Sequence, residues 1–201
     1  MGISSSKLSS FGAKNPYNIR YNYQLYRWVI PIFLHANFMH IFFNTVALFW
    51  IGFNVERNPI SFFALYILSG IGGFIFSSLI DDSIAVGASG AIFGIIGVLI
   101  TNLVFNWRAI YNSGAFVPAL VSIVMLIMMA FMGGDNTDTY GHLGGLFFGL
   151  CLSIVMFKYK PEASGMRKLS LAGWVALFFY VTVTTVMIGL FFTVKTPEPK
   201  V

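Results

Sequence analysis

Apolar and polar positions along this chain fall into long blocks. Charged residues cluster in a few short segments, and the uncharged stretches between them approach or exceed the roughly 20 residues that a helix needs to cross a bilayer. Six such stretches can be read, over 28–55, 58–80, 83–107, 109–134, 139–157 and 170–194. They are continuously apolar and do not alternate with period two, which predicts helices and not a β-barrel, because backbone groups in lipid must pair internally. The expected fold is all-α, a polytopic membrane helical bundle of about six transmembrane helices. The chain divides accordingly into a polar N-terminal segment with a membrane-lying loop (1–27), a core (28–157), a basic loop (158–169), an extra C-terminal helix (170–194) and a tail (195–201).

Composition sharpens this picture. Hydrophobic residues make up 57% of the 201 positions and charged residues 9%, with a mean hydropathy of +0.80. Soluble domains carry roughly 25% charged residues, so a water-soluble globule is excluded. The net charge of +5 sits in connections and tails and not on one soluble face, which speaks for the lipid bilayer and against nucleic acid as the partner. Cys151, the one cysteine, lies inside an apolar run and is read as a packing residue. Residues 1–14 are polar and lack the apolar core of a signal peptide.

Loop charges predict an orientation. Arg57, Arg108 and the group Lys158, Lys160, Arg167 and Lys168 fall in one set of connections, while the alternate set holds Asp81, Asp82, Asp135 and Asp138. The basic set is expected to face the cytosol. The first, third and fifth helices then start at the extracytosolic surface. Lys7, Lys14, Arg20 and Arg27 strain this scheme, since six helices put the N-terminal segment outside. Residues Gly2 to Ser6 also fit the loose N-myristoylation pattern, which short sequences match by chance; chance is the reading adopted.

Polar residues within membrane spans are expensive and normally face the bundle interior, so each is a functional candidate. His40 and Asn44 share one face of the first helix, with His35 about a turn further out. Ser89 opens the third helix in Gly87-Ala88-Ser89-Gly90, and His142 opens the fifth in Gly141-His142-Leu143-Gly144-Gly145. These helices run in parallel, so the polar groups can converge in the outer part of the membrane. A serine hydroxyl becomes a competent nucleophile when a neutral histidine takes its proton. Ser89 and His142 can form that dyad. The Ser89 N–H, His40 and Asn44 can supply oxyanion donors. The spans offer no Asp or Glu as a third member.

Glycines support close approach: Gly90, Gly94 and Gly97 form one small-residue stripe, and Gly141, Gly145 and Gly149 another. Phe93, a turn below Ser89, is placed to stack on His142. A lone membrane serine usually bonds its own backbone, and a lone histidine often serves as a packing donor or proton relay. Metal binding by His35, His40 and His142 is disfavoured, because no carboxylate or thiolate joins them at ligand spacing. Arg27 and Glu56 are read as anchors at membrane edges. No cofactor is called for.

In combination, His35-Ala36-Asn37-Phe38-Met39-His40 with Asn44, then Gly87-Ala88-Ser89-Gly90, then Gly141-His142 with Gly145, resemble the rhomboid family in type, order and spacing over residues 8–157. The resemblance implies an intramembrane serine protease. Ser89 maps onto its nucleophile and His142 onto its base, while His40 and Asn44 map onto its oxyanion site. It further implies single-pass transmembrane proteins as substrates, cut at small residues. Tyr26-Arg27 looks like the aromatic-Arg pair of the family's membrane-lying loop, where Trp is the commoner aromatic. The extra C-terminal helix looks like that of eukaryotic secretory-pathway members, which favours a secretory or plasma membrane location over a mitochondrial one. Rhomboids begin with a helix before the Arg27 loop, where this chain offers the polar residues 1–26. Either the chain is truncated or the protein dispenses with that helix; the departure favours a rival reading, a non-proteolytic relative that binds or traffics client membrane proteins, while the presence of both Ser89 and His142 argues the other way. A transporter would require ionisable residues along the spans, and their midplane stretches hold no Asp, Glu, Lys or Arg.

Overall fold

A computed structural model describes residues 2–55, 59–131, 137–156 and 171–194. Among the described residues it is helical, with extended backbone limited to short connections and one isolated bridge. Two short helices, α1 (Ser5–Ser10) and α2 (Pro16–Asn22), open the chain. Ser4 caps the first by accepting from the Lys7 N–H. Asn15 caps the second, with Pro16 at its first position, where the missing N–H leaves no bond unmade. Seven further helices follow among the described residues: α3 (Phe38–Val55), α4 (Pro59–Ile80), α5 (Ser89–Phe105), α6 (Trp107–Asn112), α7 (Phe116–Phe131), α8 (Thr139–Met156) and α9 (Leu171–Thr193).

Helices α4, α5 and α8 form the centre, α9 packs on α8 and α4, and α3 and α7 lie against α5. Glycine makes the centre this tight. A Cβ on Gly145 or Gly149 would run into the backbone of Gly90 or Gly94. One on Gly97 would sit 3.0 Å from the Gly149 carbonyl carbon. The two stripes therefore meet in parallel, the arrangement that lets helices associate in lipid without a hydrophobic driving force. Thr101 and Ser153 add a hydrogen bond of 2.7 Å across the same pair. Large apolar side chains point outward from the centre, among them Phe49 and Trp50 on α3 and Trp174 and Phe178 on α9. Exposed apolar faces of this extent belong in lipid. The molecule is a helical membrane bundle, in which α4 and α9 are each long and apolar enough to span the bilayer and α3, α5, α7 and α8 are shorter apolar helices.

Three sequence boundaries need correction. The first apolar run does not become helix until Phe38; Leu25–Trp28 and Ile30–Phe33 are 3-10 turns, the second with Pro31 in its first turn. Proline lacks the N–H that a continuous helix would require there. The third run begins with a loop, so its helix opens at Ser89. The fourth is broken between α6 and α7 at Gly114, whose φ of 75° is left-handed. Glu56, Arg57, Asp135, Lys158, Lys160, Arg167 and Lys168 lie outside the described residues. Hereafter the end at which α3, α5 and α8 begin is the upper end.

Candidate active site

The upper end is roofed by the N-terminal segment. Lys14 and Ala85 exchange backbone hydrogen bonds of 2.9 and 3.3 Å, and the Gly87 N–H donates to the Pro31 carbonyl at 2.9 Å. Trp28 Nε1 donates to Ser78 Oγ at 3.2 Å. Arg27 holds the segment's own fold, donating to Gln24 Oε1, the Ser9 carbonyl and the Ala13 carbonyl at 2.6, 2.7 and 2.9 Å. The loop before α5 is thereby fixed. Its last turn uses Gly87 at φ +132°, a conformation that L side chains avoid, and sets Ser89 at the first position of α5.

Ser89 Oγ lies 2.7 Å from His142 Nε2. The imidazole is nearly fully buried, and Phe93 stacks on it at 4.7 Å between centroids with 3° between planes. Gly90 lets the two helices close to this distance, since a Cβ there would be 3.1 Å from the Gly141 carbonyl oxygen. A pocket opens beside the pair, lined among others by Gly87, Ser89, Asp138 and His142.

His40 borders the same turn: a Cβ on Gly87 would fall 2.7 Å from its Cε1 and Nε2 and 3.6 Å from Ser89 Oγ. His40 Nδ1 accepts from the Ala36 N–H at 3.4 Å, so a neutral ring carries its proton on Nε2, the nitrogen beside Gly87. Asn44, a turn further along α3, is buried, and its Nδ2 has no hydrogen-bond partner among the described residues. A buried donor left unpaired is costly and calls for an explanation. His35 meets His40 edge-on at 5.2 Å and lies beyond the dyad.

Three of the four positive charges that strained the orientation rule, Lys14, Arg20 and Arg27, have structural employment. Lys14 is fully buried and donates to Ser77 Oγ at 2.7 Å and the Asp81 carbonyl at 3.1 Å. Arg20 Nε donates to the Phe191 carbonyl at 2.8 Å and lies over that ring at 4.3 Å. Sequence reasoning missed Lys14, Ser77 and Asp138 as neighbours of the dyad. The available signal was a basic residue placed by topology at the same membrane end as four aspartates.

Comparison with known proteins matches the model of the Rhomboid domain over residues 22–159. The chain is 36% identical over 157 residues to rhomboid-like protease 1 of Toxoplasma gondii, covering 75% of this chain and 53% of that protein. It is 34% identical over 203 residues to RHOMBOID-like protein 2 of Arabidopsis thaliana, covering 94% and 62%. It is also 33% identical over 168 residues to the mitochondrial RHOMBOID-like protein 6 of the same plant, covering 81% and 53%. The chain thus spans between half and two thirds of the length of these relatives. With the domain matched over most of its length, the chain belongs to the rhomboid family.

Proposed function

We propose that this chain is an intramembrane serine endopeptidase acting through a Ser89–His142 dyad. The observation that carries the reading is the 2.7 Å approach of Ser89 Oγ to His142 Nε2 at the upper end of an apolar bundle. In the first step Ser89 Oγ bonds to the scissile carbonyl carbon while its proton passes to His142 Nε2. The carbonyl oxygen becomes an oxyanion, for which His40 Nε2–H, Asn44 Nδ2–H and the Ser89 N–H are the donors. The Ser89 N–H opens a helix and so has no intrahelical partner. The unpaired Asn44 amide is what a site awaiting an anion requires. Collapse breaks the C–N bond, and the leaving amine takes the proton from Nε2. Water then attacks the acyl ester, again losing its proton to His142, and Ser89 is regenerated.

The substrates are single-pass transmembrane proteins whose helices unwind near the upper surface, because an intact helix hides its peptide bonds behind backbone pairing. Small residues at the cut site suit the family resemblance. The upper end is the extracytosolic one on the loop-charge argument. The α9 helix favours a secretory or plasma membrane over the mitochondrion, a placement that localisation of the tagged full-length protein tests.

The activity test is cleavage of a fluorescent single-pass reporter by the full-length protein in liposomes. Wild type is expected to cleave and Ser89→Ala to lose cleavage. Equal cleavage by both would remove Ser89 from the chemistry. No cleavage by wild type, together with retained reporter binding, would establish the client-binding reading instead.

A further inference from the structure

Next to the dyad lies a buried polar chain that the mechanism does not use. Asp138 precedes α8 and caps it: its Oδ1 accepts from the Gly141 N–H at 2.9 Å and from Ser77 Oγ at 2.6 Å. Its carbonyl accepts from the His142 N–H at 3.1 Å. Asp138 Oδ2 is buried without a hydrogen bond, and its nearest cation is Lys14 Nζ at 3.9 Å, with side-chain exposures of 10% and 0%. Lys14 in turn donates to Ser77 Oγ. Burial pushes the Lys14 ammonium below its ordinary value, while Asp138, Asp81 and Asp82 act to hold its proton.

We infer that Lys14, Ser77 and Asp138 form a positioning network that holds His142 against Ser89 and makes the N-terminal segment a working part of the site. Three observations converge on this. The network ends on the two residues, Gly141 and His142, that place the base. It begins on the residue whose backbone pairs with the loop leading to Ser89, so one side chain and one backbone unit of Lys14 reach the two halves of the dyad. It is also buried, where opposite charges are tightly coupled and an unpaired one is severely unfavourable. Removing Lys14 alone strands the Asp138 carboxylate, whereas removing both charges leaves a neutral cap, since Asn caps a helix as well as Asp. The inference rests on the protease reading for the task of His142.

The test therefore has a readout besides turnover. The chain contains three histidines, so 15N-histidine NMR of the full-length protein in micelles resolves the His142 ring, assigned with His142→Ala. Lys14→Met and Asp138→Ala are expected to displace or broaden that resonance. They should also lower kcat at least about tenfold with KM within about twofold. The double variant Lys14→Met/Asp138→Asn is expected to restore the resonance and most of kcat, because the helix cap and the charge balance return together. Should Asp138→Ala fail to fold, the comparison of Lys14→Met with the double variant decides. A His142 resonance unmoved by Lys14→Met, or a double variant worse than Lys14→Met alone, would overturn the network. Absence of cleavage by wild type would instead overturn the protease reading, and the resonance would still decide the network.

Discussion

At the scale of single residues, the upper end shows which polar groups are held for structure and which are held ready. Arg27 has three acceptors inside its own segment, and Lys14 has two besides its ion pair. Asn44 Nδ2 has none among the described residues. Asn44→Ala is therefore expected to leave KM and folding nearly unchanged and to lower kcat by a factor on the order of 100 to 1,000, the usual worth of one oxyanion donor. Steady-state kinetics on the purified variant would check this, and an unchanged kcat would strike Asn44 from the site. Ser89 and His142 stood out in the sequence because polar residues within spans are rare and each demands a reason. Lys14 did not stand out. Its partners Ser77 and Asp81 lie 63 and 67 residues downstream, and a charge rule that counts loops by sign reads it as an exception and not as half of a pair.

At the scale of elements, the helices that carry the dyad have traded side chains for proximity. Gly145 packs on the backbone of Gly90, one residue past Ser89 and three past His142. A methyl group there must push α5 and α8 apart, and both are fixed by neighbours on their other faces. Gly145→Ala is expected to destabilise by about 1–3 kcal/mol, the usual range for overpacking. It should also weaken labelling of Ser89 by a fluorophosphonate, because Ser89 and His142 separate together. Thermal unfolding in detergent and probe labelling measure the two effects. The glycine spacing made this contact legible in advance, since period and residue size together leave few alternatives. Helix starts were less legible. The stretch 28–37 is as apolar as a span, and its 3-10 turns follow from Pro31 and from tertiary bonds such as Trp28 to Ser78 that no local pattern reports.

At the scale of the whole molecule, α9 and the N-terminal segment close the bundle on each other. Phe191 is fully buried, with Arg20 over its ring and Trp28 edge-on at 5.6 Å, while Tyr23 stacks on Phe192 at 6.0 Å. Phe191→Ala leaves a cavity under this clasp and is expected to cost about 3–5 kcal/mol. Loosening should begin in residues 16–28, a pattern that hydrogen exchange resolves; uniform loss of protection would argue against a local clasp. The clasp also gives biosynthesis an order. The carbonyl that Arg20 binds is made 171 residues after Arg20 itself, which at 5–20 residues per second is a delay of roughly 10–30 s. Through that interval the segment carrying Lys14 has no anchor on the last helix, although Ser89 and His142 are already synthesised. A half-made chain in the insertion machinery, surrounded by other nascent membrane helices, is thereby kept from a finished roof over Ser89 and His142 until α9 has been made.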